Sequence, residues 1–157
     1  MSEGAVMVMV PDEAYVSTAL EPHCTIAYFG QAADIQPWER EIMLSVAEKV
    51  SQVETYYQKR PKVTGRGVFN LDPQFNDGNV YAYVDLIDWN VFPMVREMVE
   101  SKLGITINRG HGFLPHMTLA YGNTYIPDMA RPQGMYSFGW DSVQIWLGDE
   151  RLRFPIA

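Results

Sequence analysis

Residues 22–28 read Pro22-His23-Cys24-Thr25-Ile26-Ala27-Tyr28, and residues 115–121 read Pro115-His116-Met117-Thr118-Leu119-Ala120-Tyr121. The two stretches agree at Pro, His, Thr, Ala and Tyr, replace Ile by Leu, and are each followed by a glycine, Gly30 or Gly122. A proline in front, a run of β-formers and a glycine behind mark a strand. Side chains alternate across a strand, so the pattern predicts His23, Thr25 and Ala27 on one face and Cys24, Ile26 and Tyr28 on the other. His116, Thr118 and Ala120 repeat the arrangement against Met117, Leu119 and Tyr121. Each copy then offers an imidazole beside a hydroxyl on a face kept open by alanine, with its large groups, both tyrosines and Cys24 turned to the core.

Outward from these strands the periodicity changes several times. Val6, Val8 and Val10 alternate with Met7 and Met9 before Pro11-Asp12, which predicts a first strand covered on both faces. Ile42, Val46, Val50 and Val53 recur at three- and four-residue spacing, predicting an amphipathic helix from Pro37 to about Tyr56 with Pro37 in its first turn. Lys62–Asn70 and Asn79–Leu86 read as a hairpin around Asn76-Asp77-Gly78-Asn79. A second helix over Val91–Leu103 stops at Gly104. The second motif strand, Pro115–Gly122, and two more at Ser142–Leu147 and Leu152–Ile156 complete a β, β, α, β, β, α, β, β, β order, which makes the fold class mixed α+β.

Composition narrows the rest. A chain of 157 residues with 47% hydrophobic residues can bury one core unaided, so residues 1–157 read as a single domain, with room for two lobes. Cys24 is the only cysteine, which excludes a disulfide scaffold and makes a reducing cytoplasm the expected compartment. No stretch approaches the roughly 20 apolar residues of a spanning helix, and the N-terminus has no basic leader, so neither export nor a membrane partner is expected. With 12 Lys+Arg against 19 Asp+Glu the net charge is −7, the wrong sign for wrapping a long nucleic acid. A small phosphate-bearing substrate is the better fit. Lys59-Arg60-Pro61-Lys62, with Arg66 close behind, is read as a solvated basic turn after a helix.

The residue types of the repeat define a chemistry. Histidine, with an ordinary pKa of about 6.5, is the side chain best suited to take and return a proton near neutrality. A facing pair, His23 and His116, can divide the work: one neutral imidazole accepts a proton from an attacking hydroxyl or water, and one imidazolium protonates the leaving oxygen. Thr25 and Thr118 can then donate hydrogen bonds to nonbridging phosphate oxygens. This scheme needs no metal or cofactor, and the sequence leaves open which histidine takes which role.

With these motifs in place the chain resembles the 2H phosphoesterases, a family defined by two His-x-Thr motifs on strands of a bilobal, pseudo-symmetric α+β domain. Similar proteins include bacterial RNA 2′,3′-cyclic phosphodiesterase (2′-5′ RNA ligase-like) enzymes and short phage-encoded members. His23-Cys24-Thr25 and His116-Met117-Thr118 match the motifs, and Val63–Phe69 and Gly112–His116 look like the family's segments near its middle strand and second motif. The resemblance implies antiparallel sheets with flanking helices around a central cleft, metal-independent phosphodiester hydrolysis, and His23, Thr25, His116 and Thr118 as catalytic residues. The short, acidic chain favours a cyclic nucleotide, cyclic oligonucleotide, 2′,3′-cyclic phosphate or 2′,5′-oligonucleotide, and a monomer. Some phage-borne relatives destroy nucleotide messengers of bacterial immunity, and that role is the expectation the short form carries. The rival reading is a protein that sequesters a nucleotide in the same cleft without turnover.

Three further residues stand near the second motif. Arg109 could meet a phosphate and Phe113 could stack on a base, so both are candidate substrate-binding residues. His111 reads as a loop residue, with a three-nitrogen zinc site from His23, His111 and His116 as the alternative.

Overall fold

The β-formers of the first motif do form a strand, and so do those of the second. The computed structural model describes residues 4–15, 21–71, 80–103, 115–122 and 136–156. The elements are β1 (Gly4–Pro11), β2 (Cys24–Gln31), α1 (Pro37–Gln52), α2 (Glu54–Tyr57), β3 (Lys62–Leu71), β4 (Val80–Asp88), α3 (Phe92–Leu103), β5 (His116–Gly122), β6 (Tyr136–Ser137), β7 (Trp140–Leu147) and β8 (Glu150–Pro155). This is a mixed α+β protein in which the eight strands of the described residues form one curled sheet, ordered β6-β3-β4-β5-β2-β1-β7-β8, with every neighbouring pair antiparallel.

The expected long helix is two. α1 begins on a capping box in which the Gln36 backbone N–H donates to Glu39, with Pro37 in the first turn, and it ends where Val53 turns extended. The short α2 follows. β6 was not expected, since two residues carry no period; it adds to the edge of β3 through Lys62↔Ser137 and Val63↔Tyr136.

One face of the sheet carries the core. Met7, Met9, Cys24, Ile26, Met117, Val143 and Ile145 meet Met43, Val46, Ala47 and Val50 of α1 and Phe92, Val95 and Val99 of α3. Each of the larger side chains contributes about 1.5–3 kcal/mol by leaving water. Both long helices lie on this face, so the side chains of the opposite face, Thr25 among them, remain for other uses. Beside the core, Asp85 is 2% exposed and accepts hydrogen bonds from the Tyr15 hydroxyl at 2.8 Å and from Arg66 Nε at 3.3 Å. Arg66 therefore serves an interior ion pair and does not extend the basic surface, whereas Lys59, Arg60 and Lys62 are exposed as read from the sequence.

Strand parity fails in both motif strands, just past each threonine. In β5 the register with β4 slips between Val84↔Thr118 and Tyr83↔Ala120, so β5 advances two residues where β4 advances one. The β1–β2 register slips between Val8↔Thr25 and Met7↔Ala27, so β2 advances two residues where β1 advances one. Such a bulge breaks the alternation of faces. Ile26 and Ala27 are both buried in the core, and Tyr28 is 48% exposed. The expectation from parity is thus corrected: Ala27 is a core residue, and Tyr28 lies on the face of Thr25. The ladder confirms the face, because Tyr28 stands opposite Val6 and Val6 opposite Trp146, one step along from the Thr25–Val8–Gln144 row. The side chains of Ala120 and Tyr121 lie outside the described ones.

Arg96 of α3, 7% exposed, donates from Nη1 to the carbonyl of Ile26 at this bulge. A bulge leaves backbone groups off the ladder, and a buried acceptor without its donor costs about 1–3 kcal/mol. Arg96→Met should accordingly lower unfolding free energy by about 1–3 kcal/mol in urea titration. A variant as stable as the parent would show that the bulge does not depend on this donor.

Candidate active site

The two motif strands are immediate neighbours. β2 and β5 run antiparallel with Cys24 paired to Met117. One residue to either side, this register sets His23 across from Thr118 and Thr25 across from His116. Directly opposed residues in antiparallel strands keep their Cβ atoms about 4.5–5.5 Å apart. Each imidazole thus stands by the hydroxyl of the other motif. Thr25 is exposed, while His23, His116 and Thr118 are half-buried.

His23 precedes β2, and its ring is held by Glu21 on its own segment and by Trp146 of β7. Its Nδ1 lies 2.8 Å from the Glu21 carbonyl oxygen. A carbonyl can only accept, so Nδ1 carries the proton of the neutral ring and Nε2 is the basic nitrogen. The imidazole leans on the indole of Trp146 in β7, with ring centroids 4.3 Å apart and planes at 57°. Trp146 Nε1 donates to Gln144 Oε1 at 2.8 Å, and Gln144 Nε2 donates to Ser142 Oγ at 3.1 Å. From β8, where Arg151 stands opposite Trp146, the guanidinium carbon lies 4.1 Å from the indole centroid and Nε lies 3.5 Å from the Glu21 carboxylate.

These surroundings set the charge of His23. Burial holds its pKa below the ordinary value; the Glu21 carbonyl and carboxylate oppose that, and the cationic forms of Arg151 and His116 add to it. The net direction is downward, so the ring is neutral at neutral pH with its free nitrogen at Nε2. That is the state a proton acceptor requires.

Cys24 turns the other way. It is fully buried, and burial pushes its thiol up to about 12, the His116 backbone amide offsetting part of the shift. Among the candidates from the sequence, the structure brings His23, Thr25, His116 and Thr118 together. Arg109, His111 and Phe113 lie outside the described residues. Gln144, Trp146 and Arg151 were not anticipated. Their signal was faint: Ser142, Gln144 and Trp146 occupy alternate positions of a strand, but only its place beside β1 reveals what that face meets. A concavity of about 620 Å³ between α1, α2 and the end of β8 is lined by Glu48, Glu54, Gln58 and Phe154 among others. It contains neither histidine, and its carboxylates would repel a phosphate.

No family model and no curated protein matches the sequence. Among solved structures, the crystal structure of TT0787 of Thermus thermophilus is similar, with a TM-score of 0.58 over 96% of this chain and 97% of that chain at 12% identity. At that identity the likeness shows a shared fold alone.

The placement of Cys24 predicts inertness. A thiol with a pKa of about 12 is almost wholly protonated at pH 8, and it has no access to solvent. Native protein should not react with Ellman's reagent over hours, and one thiol should appear on addition of denaturant. Rapid native labelling would place Cys24 at the surface and reopen a cysteine mechanism.

Proposed function

We propose that the protein is a metal-independent phosphodiesterase of the 2H type that hydrolyses a small nucleotide substrate. The observation that carries the reading is the Cys24/Met117 bridge, which puts two His-x-Thr motifs on adjacent antiparallel strands in reciprocal register. A bilobal, pseudo-symmetric reading of the fold is supported by the strand order, since β2-β1-β7-β8 and β5-β4-β3-β6 extend from that bridge in opposite directions. The fold shared with TT0787 is compatible with this and says nothing of the chemistry.

In this scheme His23 Nε2 takes a proton from a water or ribose hydroxyl as its oxygen attacks phosphorus. The bond from phosphorus to the leaving oxygen breaks, and that oxygen takes a proton from the imidazolium of His116. Thr25 and Thr118 donate to the two nonbridging oxygens. His23 is assigned as the base because burial keeps it neutral and the Glu21 carbonyl keeps Nε2 free. His116, across from Thr25, is then the acid. Cyclic and 2′,5′-linked nucleotides are the substrates best matched to an acidic chain, and degradation of nucleotide messengers is the role proposed for it.

Incubation with cyclic mono-, di- and trinucleotides, 2′,3′-cyclic phosphates and 2′,5′-oligonucleotides, read by chromatography, should find one class cleaved. His23→Ala and His116→Ala should each lower kcat by about 10²–10⁴-fold in folded protein, and Thr25→Ala and Thr118→Ala by less. Recovery of every nucleotide intact but bound would replace the enzyme by a sequestering protein.

The pH dependence has a definite sign. A base whose pKa is held down stays neutral to lower pH, so the acidic limb of kcat/KM should fall below the value of about 6.5 for a free imidazole. The two limbs report the coupled pair. Turnover should survive exhaustive EDTA dialysis. Loss on chelation with recovery in zinc would favour the site at His23, His111 and His116, and His111→Ala would then be as damaging as either motif variant.

A further inference from the structure

We infer that the Ser142–Gln144–Trp146 face of β7, closed from outside by Arg151, is a positioning device that fixes the ring of His23. Its catalytic consequence rests on the reading above; its structural consequence does not.

The contacts form a closed circuit that begins and ends on one residue. The Glu21 carbonyl holds Nδ1 of His23, the imidazole rests on Trp146, the indole lies under Arg151, and Arg151 returns to the Glu21 carboxylate. A single hydrogen bond at Nδ1 leaves the ring free to swing about that bond. The indole removes this freedom by occupying the space beside it, and Trp146, 8% exposed, is itself immobilised. Its N–H is committed to Gln144 Oε1, which orients the Gln144 amide so that Nε2 points to Ser142, and Ser142 is fully buried. Residues 142, 144 and 146 share one face of a strand by the two-residue period, so a rigid backbone carries the ladder. Arg151 is pinned by a 2.7 Å bond from Nη1 to the Gly148 carbonyl in the β7–β8 turn. Cation–π contact of this kind is strongest where water is excluded.

Trp146 also decides how His23 titrates. Among the described residues, the charged groups that bear on the imidazole are Glu21 on its own segment, His116 from β5 and Arg151 from β8; from β7 the indole contributes exclusion of water. Without the indole, water reaches the ring and its pKa must move upward.

The test needs no substrate. The chain has three histidines, and their imidazole C–H signals can be assigned with His→Gln variants and titrated by NMR. The expected result is an upward movement of the His23 midpoint toward about 6.5 in Trp146→Leu and in Gln144→Leu. Gln144→Leu keeps side-chain volume and serves if Trp146→Leu does not fold. An unchanged His23 midpoint in a folded Trp146→Leu or Gln144→Leu protein overturns the inference. Once a substrate is known, the same variants should lower kcat by up to about 10²-fold with KM nearly unchanged, because the ring is misplaced and the substrate is not. An effect confined to KM would instead make Trp146 a substrate contact and overturn the positioning role. If His23→Ala proves catalytically silent, the phosphodiesterase reading falls, and the NMR midpoint still decides the inference by itself.

Discussion

The antiparallel pairing of Cys24 with Met117 is the constraint on which the site depends, because it joins β2 to β5 and brings the two motifs side by side. A shift of this register by one residue would turn one motif's histidine and threonine into the helix-covered core and its hydrophobic partner out. The core resists that shift. Cys24 and Met117 are both fully buried against the cluster that includes α1 and α3, and burying a polar imidazole there in their place would cost several kcal/mol. Hydrophobic burial on one face thus selects the register that builds the polar site on the other.

The bulge in β2 adjusts this plan just past Thr25. By admitting one extra residue it sends both Ile26 and Ala27 into the core and brings Tyr28 out beside the motif face. The Ile26 carbonyl receives its hydrogen bond from Arg96 on the helix side, so the irregularity is supported by the same helix that covers the strand. Bulges recur where a strand must re-aim a side chain, and here the result is an exposed aromatic ring on a face that regular alternation would have given to alanine.

Electrostatics completes the site within an acidic protein. His23 is kept neutral chiefly by burial, which is insensitive to salt, and only secondarily by the positive charges of Arg151 and His116. Arg151 is at once close to the imidazole and tied to Glu21, so a cation is held beside the ring by a local carboxylate. Under the proposed function such an arrangement would suit one phosphate at a time, since the net charge of −7 opposes a longer polyanion.

The duplicated Pro-His-x-Thr stretch, the periodicity of β1, α1 and α3, and the β3–β4 hairpin are local patterns, and local patterns are legible in a sequence because propensity and face alternation act over a few residues. From them followed the mixed α+β class, the four motif residues and the burial of Cys24. Other features depended on partners distant in the chain. The bulge that exchanges the faces of Ala27 and Tyr28 arises from pairing with β1, the loss of Arg66 to Asp85 from pairing of β3 with β4, and the support of His23 from Trp146 and Arg151 on strands more than a hundred residues away. Register and cross-strand contact are set by the summed burial of the whole sheet, and no single segment carries that sum; only the assembled tertiary structure decided them.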